Sequence, residues 1–280
     1  MLRALSVLPY GLVARAGEAI GSGLYLLPSR RKHILHTNLR LCFPDKTPAE
    51  RGSLARSTFR HVIRGYLERG VQWYGSPSKL AGLFELDSAI DLEDAYEQPT
   101  IFLSFHFAAI EAACVYYSLL HPIASIYTPM SDKATNDIAL EGRARFGTEM
   151  IPRGGSAREI LRVLKSGKPV MLAADMDFGL RDSVFVPFFG VQAATLTSVS
   201  RLAQLSGARV VPFIGEVLPD YRGYKLTIGK PFENYPSGDV AADALRMNQF
   251  LENKIRQISD QYYWVHRRFK RRPMSEKPVY

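Results

Sequence analysis

Ile101-Phe102-Leu103-Ser104-Phe105-His106-Phe107-Ala108-Ala109-Ile110-Glu111 is the stretch on which the reading of this chain turns. Its first five residues form a short, nearly unbroken apolar run, the pattern of a strand covered on both faces, and helical periodicity follows from about Phe107 to Leu120. His106 therefore stands where a buried strand meets solvent. A second junction of this kind is Val170 to Ala174, followed by Asp175-Met176-Asp177. Further strands are expected at Ile123 to Tyr127, Val210 to Ile214 and Tyr224 to Ile228, with helices near Asp132 to Phe146, Ser156 to Lys165 and Thr195 to Leu205. Thr47-Pro48-Ala49-Glu50 has the form of a capping box with proline at the first helical position, opening a helix that runs to about Tyr74. The alternation predicts an α/β fold with a mixed, largely parallel central sheet flanked by helices. Sites in such sheets lie at the carboxyl ends of strands, so His106 and Asp175 can face one crevice.

A chain of 280 residues that is 46% hydrophobic and 22% charged can bury a substantial core, which sets disorder aside. Lys and Arg number 36 against 27 Asp and Glu, a net charge of +9 that points to an anionic partner. That charge is concentrated near the ends. Ser29 to Pro44 carries Arg30, Arg31, Lys32 and Arg40 without an acid, and Tyr262 to Ser275 carries Arg267, Arg268, Lys270, Arg271 and Arg272, again without one. Leu80 to Asp132 contains no Lys or Arg. The two cysteines, Cys42 and Cys114, suggest neither a disulfide framework nor a zinc site and favour a reducing compartment.

At the N-terminus, the uncharged stretches between Arg3 and Arg15 and between Glu18 and Arg30 are 11 residues each. That is short of the roughly 20 needed to cross a bilayer. Arg15 and Glu18 also interrupt what would be the apolar centre of a cleaved signal. At helical spacing Arg15, Glu18 and Ser22 share one face while Leu12, Val13, Ala16, Ile20 and Leu24 cover the rest. This suits a helix lying on a membrane or, equally, on the protein's own core. Residues 1–30 are expected to form an amphipathic, membrane-associated segment and residues 31–280 a single domain.

His106 and Glu111 are five apart, about 500° around an ideal helix, so they share no face within one. They meet only if His106 sits in the turn before the helix. There Glu111 is expected to accept the ring N–H and fix the tautomer, leaving the other nitrogen to take a proton from a substrate hydroxyl. Such a pair arises by chance in most proteins; its place after a strand raises it above that background. Arg153-Gly154-Gly155-Ser156 precedes a helix in which Ser156 and Glu159 form another capping box, a helix start that can hold a phosphate or can be only a turn and a cap. Asp175-Met176-Asp177 has the D-x-D form with which glycosyltransferases hold a metal and a nucleotide sugar, but two aspartates in a loop are common, and no metal or cofactor is expected. There is no Gly-x-Ser-x-Gly elbow and no cysteine paired with histidine in sequence, so direct transfer through a ternary complex is the simpler mechanism. The closing Tyr262 to Lys270 mixes aromatics with cations, as a nucleic-acid patch, a membrane-interface belt or a solvated basic tail does.

Taken together, several segments resemble one family. His106-x4-Glu111 resembles the catalytic motif of the glycerolipid acyltransferase superfamily, and the remainder is similar to its bacterial lipid A late-acyltransferase branch. The similar segments are Arg31 with Asn38 to Pro44; Asp175 to Gly179; Val184 to Gly190; Gly207 to Pro212; and Asn248 through Glu252 to Trp264-Val265-His266-Arg267-Arg268-Phe269-Lys270. The resemblance implies acyl transfer from an acyl-carrier-protein thioester to a hydroxyl of a lipid A precursor. It implies His106 as base, Glu111 as its partner, Arg143 as the functional arginine that stabilises the thioester oxygen or binds a phosphate, and Asp175 as the functional aspartate that can orient that arginine. Asp177 is the adjacent candidate and Arg153 a further substrate contact. It also implies residues 31–280 as the acyltransferase domain, attached peripherally to the cytoplasmic face of the bacterial inner membrane through anionic headgroups.

Family members commonly carry Gly-Asn-Trp where this chain has Ala108-Ala109-Ile110, which bears on the acceptor or the pocket shape. They also often carry an N-terminal transmembrane anchor. A lysophospholipid, an ornithine lipid or another glycolipid is the alternative acceptor. A basic nucleic-acid-binding module is the distant alternative; it rests on the tail alone, and no nucleic-acid partner is expected.

Overall fold

Helices α1 (Leu2–Leu5), α2 (Tyr10–Leu26), α3 (Arg30–Cys42), α4 (Pro48–Tyr74) and α5 (Pro77–Ala81) precede the first strand. The structure, a computed structural model, describes residues 2–155 and 157–280. After β1 (Phe84–Ser88) and α6 (Asp94–Glu97) the alternating part begins: β2 (Thr100–Ser104), α7 (Ile110–Leu120), β3 (Ala124–Tyr127), α8 (Lys133–Ala144), β4 (Glu149–Pro152), α9 (Ala157–Lys165) and β5 (Val170–Ala173). A hairpin of β6 (Ser183–Phe188) and β7 (Val191–Leu196), then α10 (Ser198–Ser206), β8 (Arg209–Val217), β9 (Tyr224–Ile228) and α11 (Val240–Gln257), complete it.

Among the described residues the central sheet has seven strands, in the order β1-β9-β8-β2-β5-β3-β4. Only the β8–β9 pairing of this sheet is antiparallel among the described residues, so the sheet is mixed and largely parallel, as expected. Side chains alternate between its two faces. Ile101, Leu103, Val170, Leu172 and Val210 enter one core with α3, α4, α9, α10 and α11. Phe102, Met171 and Val211 enter the other with α6 and α7. Because both faces are covered, β2 is buried at every position, which is why its sequence reads as an apolar run.

The Thr47 capping box forms: Glu50 N–H donates to Thr47 Oγ1 at 3.2 Å, and Thr47 N–H donates to Glu50 Oε2 at 2.7 Å. The second box is outside the described residues at its Ser156 member. Some boundaries differ from expectation. Thr195 and Leu196 belong to β7, and α10 starts at Ser198. The edge strand β1 has three exposed central residues, Glu85, Leu86 and Asp87, and so gives no strand-like apolar run.

Helix α2 packs on α4 so closely that a Cβ on Gly17 would lie 2.6 Å from Arg64 Cα. The charged side of α2 faces inward: Glu18 pairs with Arg60 at 3.0 Å and with the buried Arg64 at 2.9 Å. Leu12, Ile20 and Leu24 are left exposed. Among the described residues no helix is long and apolar enough to cross a membrane.

The aromatic part of the tail is interior rather than a solvated tail or a surface patch, and of its cations Lys270 and Arg271 stay exposed. Tyr262, Trp264, Val265 and Phe269 are in the core. The fully buried Arg268 donates to Ala194 O, Thr195 Oγ1 and Asn248 Oδ1. Asn38 Nδ2 donates to the carbonyls of Trp264 and His266, so segments far apart in sequence are joined here by buried hydrogen bonds.

Candidate active site

The site is built on two adjacent parallel strands. In the β2–β5 register Ser104 stands opposite Ala173, so two residues further along each strand His106 and Asp175 come level at the carboxyl edge. Asp175 Oδ1 accepts from His106 Nδ1 at 2.6 Å, and Oδ2 accepts the His106 backbone N–H at 3.0 Å. The histidine carbonyl is held as well, by Tyr263 N–H at 2.9 Å, and Ala108 N–H donates to Gln261 O at 2.8 Å. The C-terminal segment thus locks the turn that carries the histidine. Asp175 is 1% exposed and His106 26%. Burial by itself would raise the Asp175 carboxyl, but the charge and hydrogen bonds of His106 hold it well below the usual carboxylate range. Asp175 thus fixes the Nδ1–H tautomer and leaves Nε2 as the basic nitrogen.

Glu111 does not perform the task expected of it. It lies in the first turn of α7, where the helix dipole favours an acid. There Oε1 accepts from Arg143 Nε at 2.8 Å and from Trp73 Nε1 at 2.9 Å, while Oε2 accepts from Arg143 Nη2 at 2.7 Å. Burial pushes this carboxyl up and the arginine's bonds and charge outweigh it, so it is held below its ordinary value. Arg143, in the last turn of α8, is raised in turn by Glu111 against the opposing effect of burial. The expectation therefore needs an exchange of partners. Asp175 carries the histidine and Glu111 carries the arginine, because Glu111 lies in the first turn of a helix that leads away from β2 whereas Asp175 lies two residues beyond the end of the neighbouring strand.

Asp177 accepts the backbone N–H groups of Gly179 at 3.0 Å and Arg271 at 2.6 Å, tying the loop after β5 to the tail. Arg153 follows β4 at the same sheet edge; its guanidinium covers the Phe178 ring, and burial lowers it to about 10. Sequence reasoning missed Trp73, whose link to Glu111 spans 38 residues and leaves no local pattern. It also gave no role to His266, buried with Nδ1 donating to Tyr263 O at 2.6 Å and held down to about 4 by that burial.

The fold and this site are those of an α/β enzyme with a carboxylate-held histidine at the carboxyl edge of its sheet. The chain belongs to the family described as bacterial lipid A biosynthesis acyltransferase, whose model matches residues 1–271, and it is accordingly an O-acyltransferase. It is 34% identical over 269 residues to the lipid A biosynthesis lauroyltransferase of Escherichia coli (strain K12), covering 95% of this chain and 88% of that one. It is 33% identical over 276 residues to the palmitoleoyltransferase of the same organism, covering 98% and 90%. With the myristoyltransferase it shares 27% over 263 residues, covering 90% and 78%.

Proposed function

We propose that this enzyme transfers a fatty acyl chain from an acyl-carrier-protein thioester to a hydroxyl of a lipid A precursor, with His106 as general base, directly and without an acyl-enzyme. Nε2 of His106 takes the proton of the acceptor hydroxyl, whose oxygen attacks the thioester carbonyl carbon. The carbon–sulfur bond then breaks, and the leaving thiolate recovers the proton from Nε2. Asp175 orients the ring and stabilises the imidazolium between the two transfers. Arg143, clamped by Glu111 through Nε and Nη2, has no hydrogen-bond partner on Nη1 among the described residues and offers it to the developing oxyanion. One such donor is worth about 3 kcal/mol of barrier. Asp177 and Arg153 shape the acceptor side of the crevice.

The observation that carries this reading is the His106–Asp175 pair at the sheet edge of a chain from this family. Attachment to the cytoplasmic face of the inner membrane is supported by the exposed Leu12, Ile20 and Leu24 on the N-terminal segment, residues 1–30, and by the basic ends.

The test incubates the protein, beside His106→Ala, with acyl-carrier-protein thioesters of several lengths and a tetraacylated lipid A precursor, and weighs the products. A gain of one acyl chain that vanishes in the variant is expected. No gain on the precursor, with acylation of a lysophospholipid or ornithine lipid instead, overturns the acceptor.

A further inference from the structure

An open cavity of about 350 Å³ adjoins the site and gathers cations from both ends of the chain. Arg30 and Arg31, at the start of α3, meet Arg267 and Lys270 of the tail across more than two hundred residues of sequence. Among the described residues none of the four pairs with a carboxylate; Arg31 donates instead to Val265 O at 3.0 Å. Among the described residues Asp177 is the one acid on the wall, and both its oxygens accept backbone amides, at 3.0 and 2.6 Å. His266 also lines the cavity, and its Nε2 is buried without a hydrogen-bond partner. Four cations held around one cavity repel one another, and a ligand that brings negative charge relieves that repulsion.

We infer that this cavity is the seat of a phosphate monoester carried by the acceptor glycolipid, an inference that rests on the acyl-transfer reading above. Three arginines present planar forks matched to phosphate oxygens. A monoester near neutral pH carries close to two negative charges, which suits four cations facing one carboxylate better than the single charge of a phosphodiester. The assignment to the acceptor follows from the chain path. Asp175, which holds the base, runs directly into Met176, Asp177 and Phe178 of the cavity wall, so the ligand anchored here is the one whose hydroxyl His106 deprotonates. A remote charged anchor of this kind orients the reacting hydroxyl and makes phosphorylation a criterion for choosing the acceptor.

The test has a binding arm and a kinetic arm. Glucosamine 1-phosphate is titrated by calorimetry into the wild-type protein and into Arg267→Gln/Lys270→Gln, with glucosamine and dimethyl phosphate as controls. Both substituted side chains reach solvent, so the fold is expected to persist, and circular dichroism checks it. The sugar phosphate is expected to bind more tightly than either control and to weaken at least tenfold in the variant. With a precursor and its dephosphorylated form as acceptors, the wild type's preference for the phosphorylated one is expected to fall at least tenfold in the variant, through KM rather than kcat. Equal binding by the two proteins overturns the seat, and a raised KM for the thioester donor assigns the cations to the carrier instead. The titration needs no turnover, so retained phosphate binding without acyl transfer would overturn the functional reading and leave the seat standing.

Discussion

His106 and Asp175 each lie two residues beyond the last paired residues of their adjacent strands, Ser104 and Ala173, and are joined by a 2.6 Å hydrogen bond from Nδ1 to the carboxylate. The carboxylate that orients the histidine therefore comes from the adjacent strand, and the glutamate of the sequence motif is released to hold an arginine. The two acids then have separable duties, which the variants below distinguish.

Asp175→Asn keeps the shape and removes the charge. By analogy with the aspartate of serine-protease triads, kcat is expected to fall by about 10²–10⁴-fold. Proton NMR of the wild type is expected to show a downfield Nδ1–H resonance from His106 that disappears in Asp175→Asn and persists in Glu111→Gln. Loss of that resonance in Glu111→Gln alone would contradict the exchange of partners.

Glu111 and Arg143 are 16% and 20% exposed, and each leaves a charge in a largely dry place if its partner is removed. Glu111→Leu and Arg143→Met are each expected to cost about 3 kcal/mol in denaturant unfolding. The double variant is expected to recover most of that while acyl transfer stays at least 100-fold down. Recovery of activity together with stability would make the pair purely structural.

The apolar run before His106, the acid after the Val170 run and the alternation of elements were legible in sequence because a strand covered on both faces must be apolar throughout. Which acid meets His106 was not, because register between strands 69 residues apart leaves no trace in local spacing. The tail was misread for a related reason. Its cations include Arg268, buried on Ala194 O and Thr195, and Arg272, which donates to Gln192 O, so its composition resembles a surface while its contacts are interior. Replacing all five basic tail residues would therefore damage the core as well as any membrane contact.

His266 gives stability a definite pH dependence. Burial lowers its folded-state value to about 4, against about 6.5 in the unfolded chain. The folded state binds fewer protons, so this contribution is complete above pH 6.5, declines as pH falls, and is fully lost below about 4. Its size is about 3 kcal/mol. His266→Asn retains a donor for Tyr263 O and does not titrate, so its unfolding free energy is expected to vary less between pH 6.5 and 4 than that of the wild type. Parallel curves for the two proteins would argue that another group controls acid stability.

Leu12, Ile20 and Leu24 are exposed on a helix whose charged side is already paired with α4. Changing all three to serine is expected to weaken binding to anionic vesicles by at least about 100-fold, since an apolar side chain of this size gains roughly 1.5–3 kcal/mol on full burial. The unfolding midpoint is expected to hold. Unaltered vesicle sedimentation would show that this helix does not contact lipid.

Gly142 precedes Arg143 in α8, and a Cβ there would come within 2.3 Å of Trp73 Cγ, the ring whose N–H supports Glu111. In an open helix glycine to alanine gains about 1 kcal/mol, and Gly23 of α2, with nothing within 4 Å of its added Cβ, is expected to show such a gain. Gly142→Ala is expected to do the opposite, losing about 1–3 kcal/mol as Trp73 is forced aside. Because the displaced indole no longer donates to Glu111, acyl transfer is expected to fall with it, and thermal melts, tryptophan emission and initial rates report the three effects separately. A stabilised Gly142→Ala protein with normal rates would mean that Trp73 moves freely and that Glu111 is held in place by Arg143 alone.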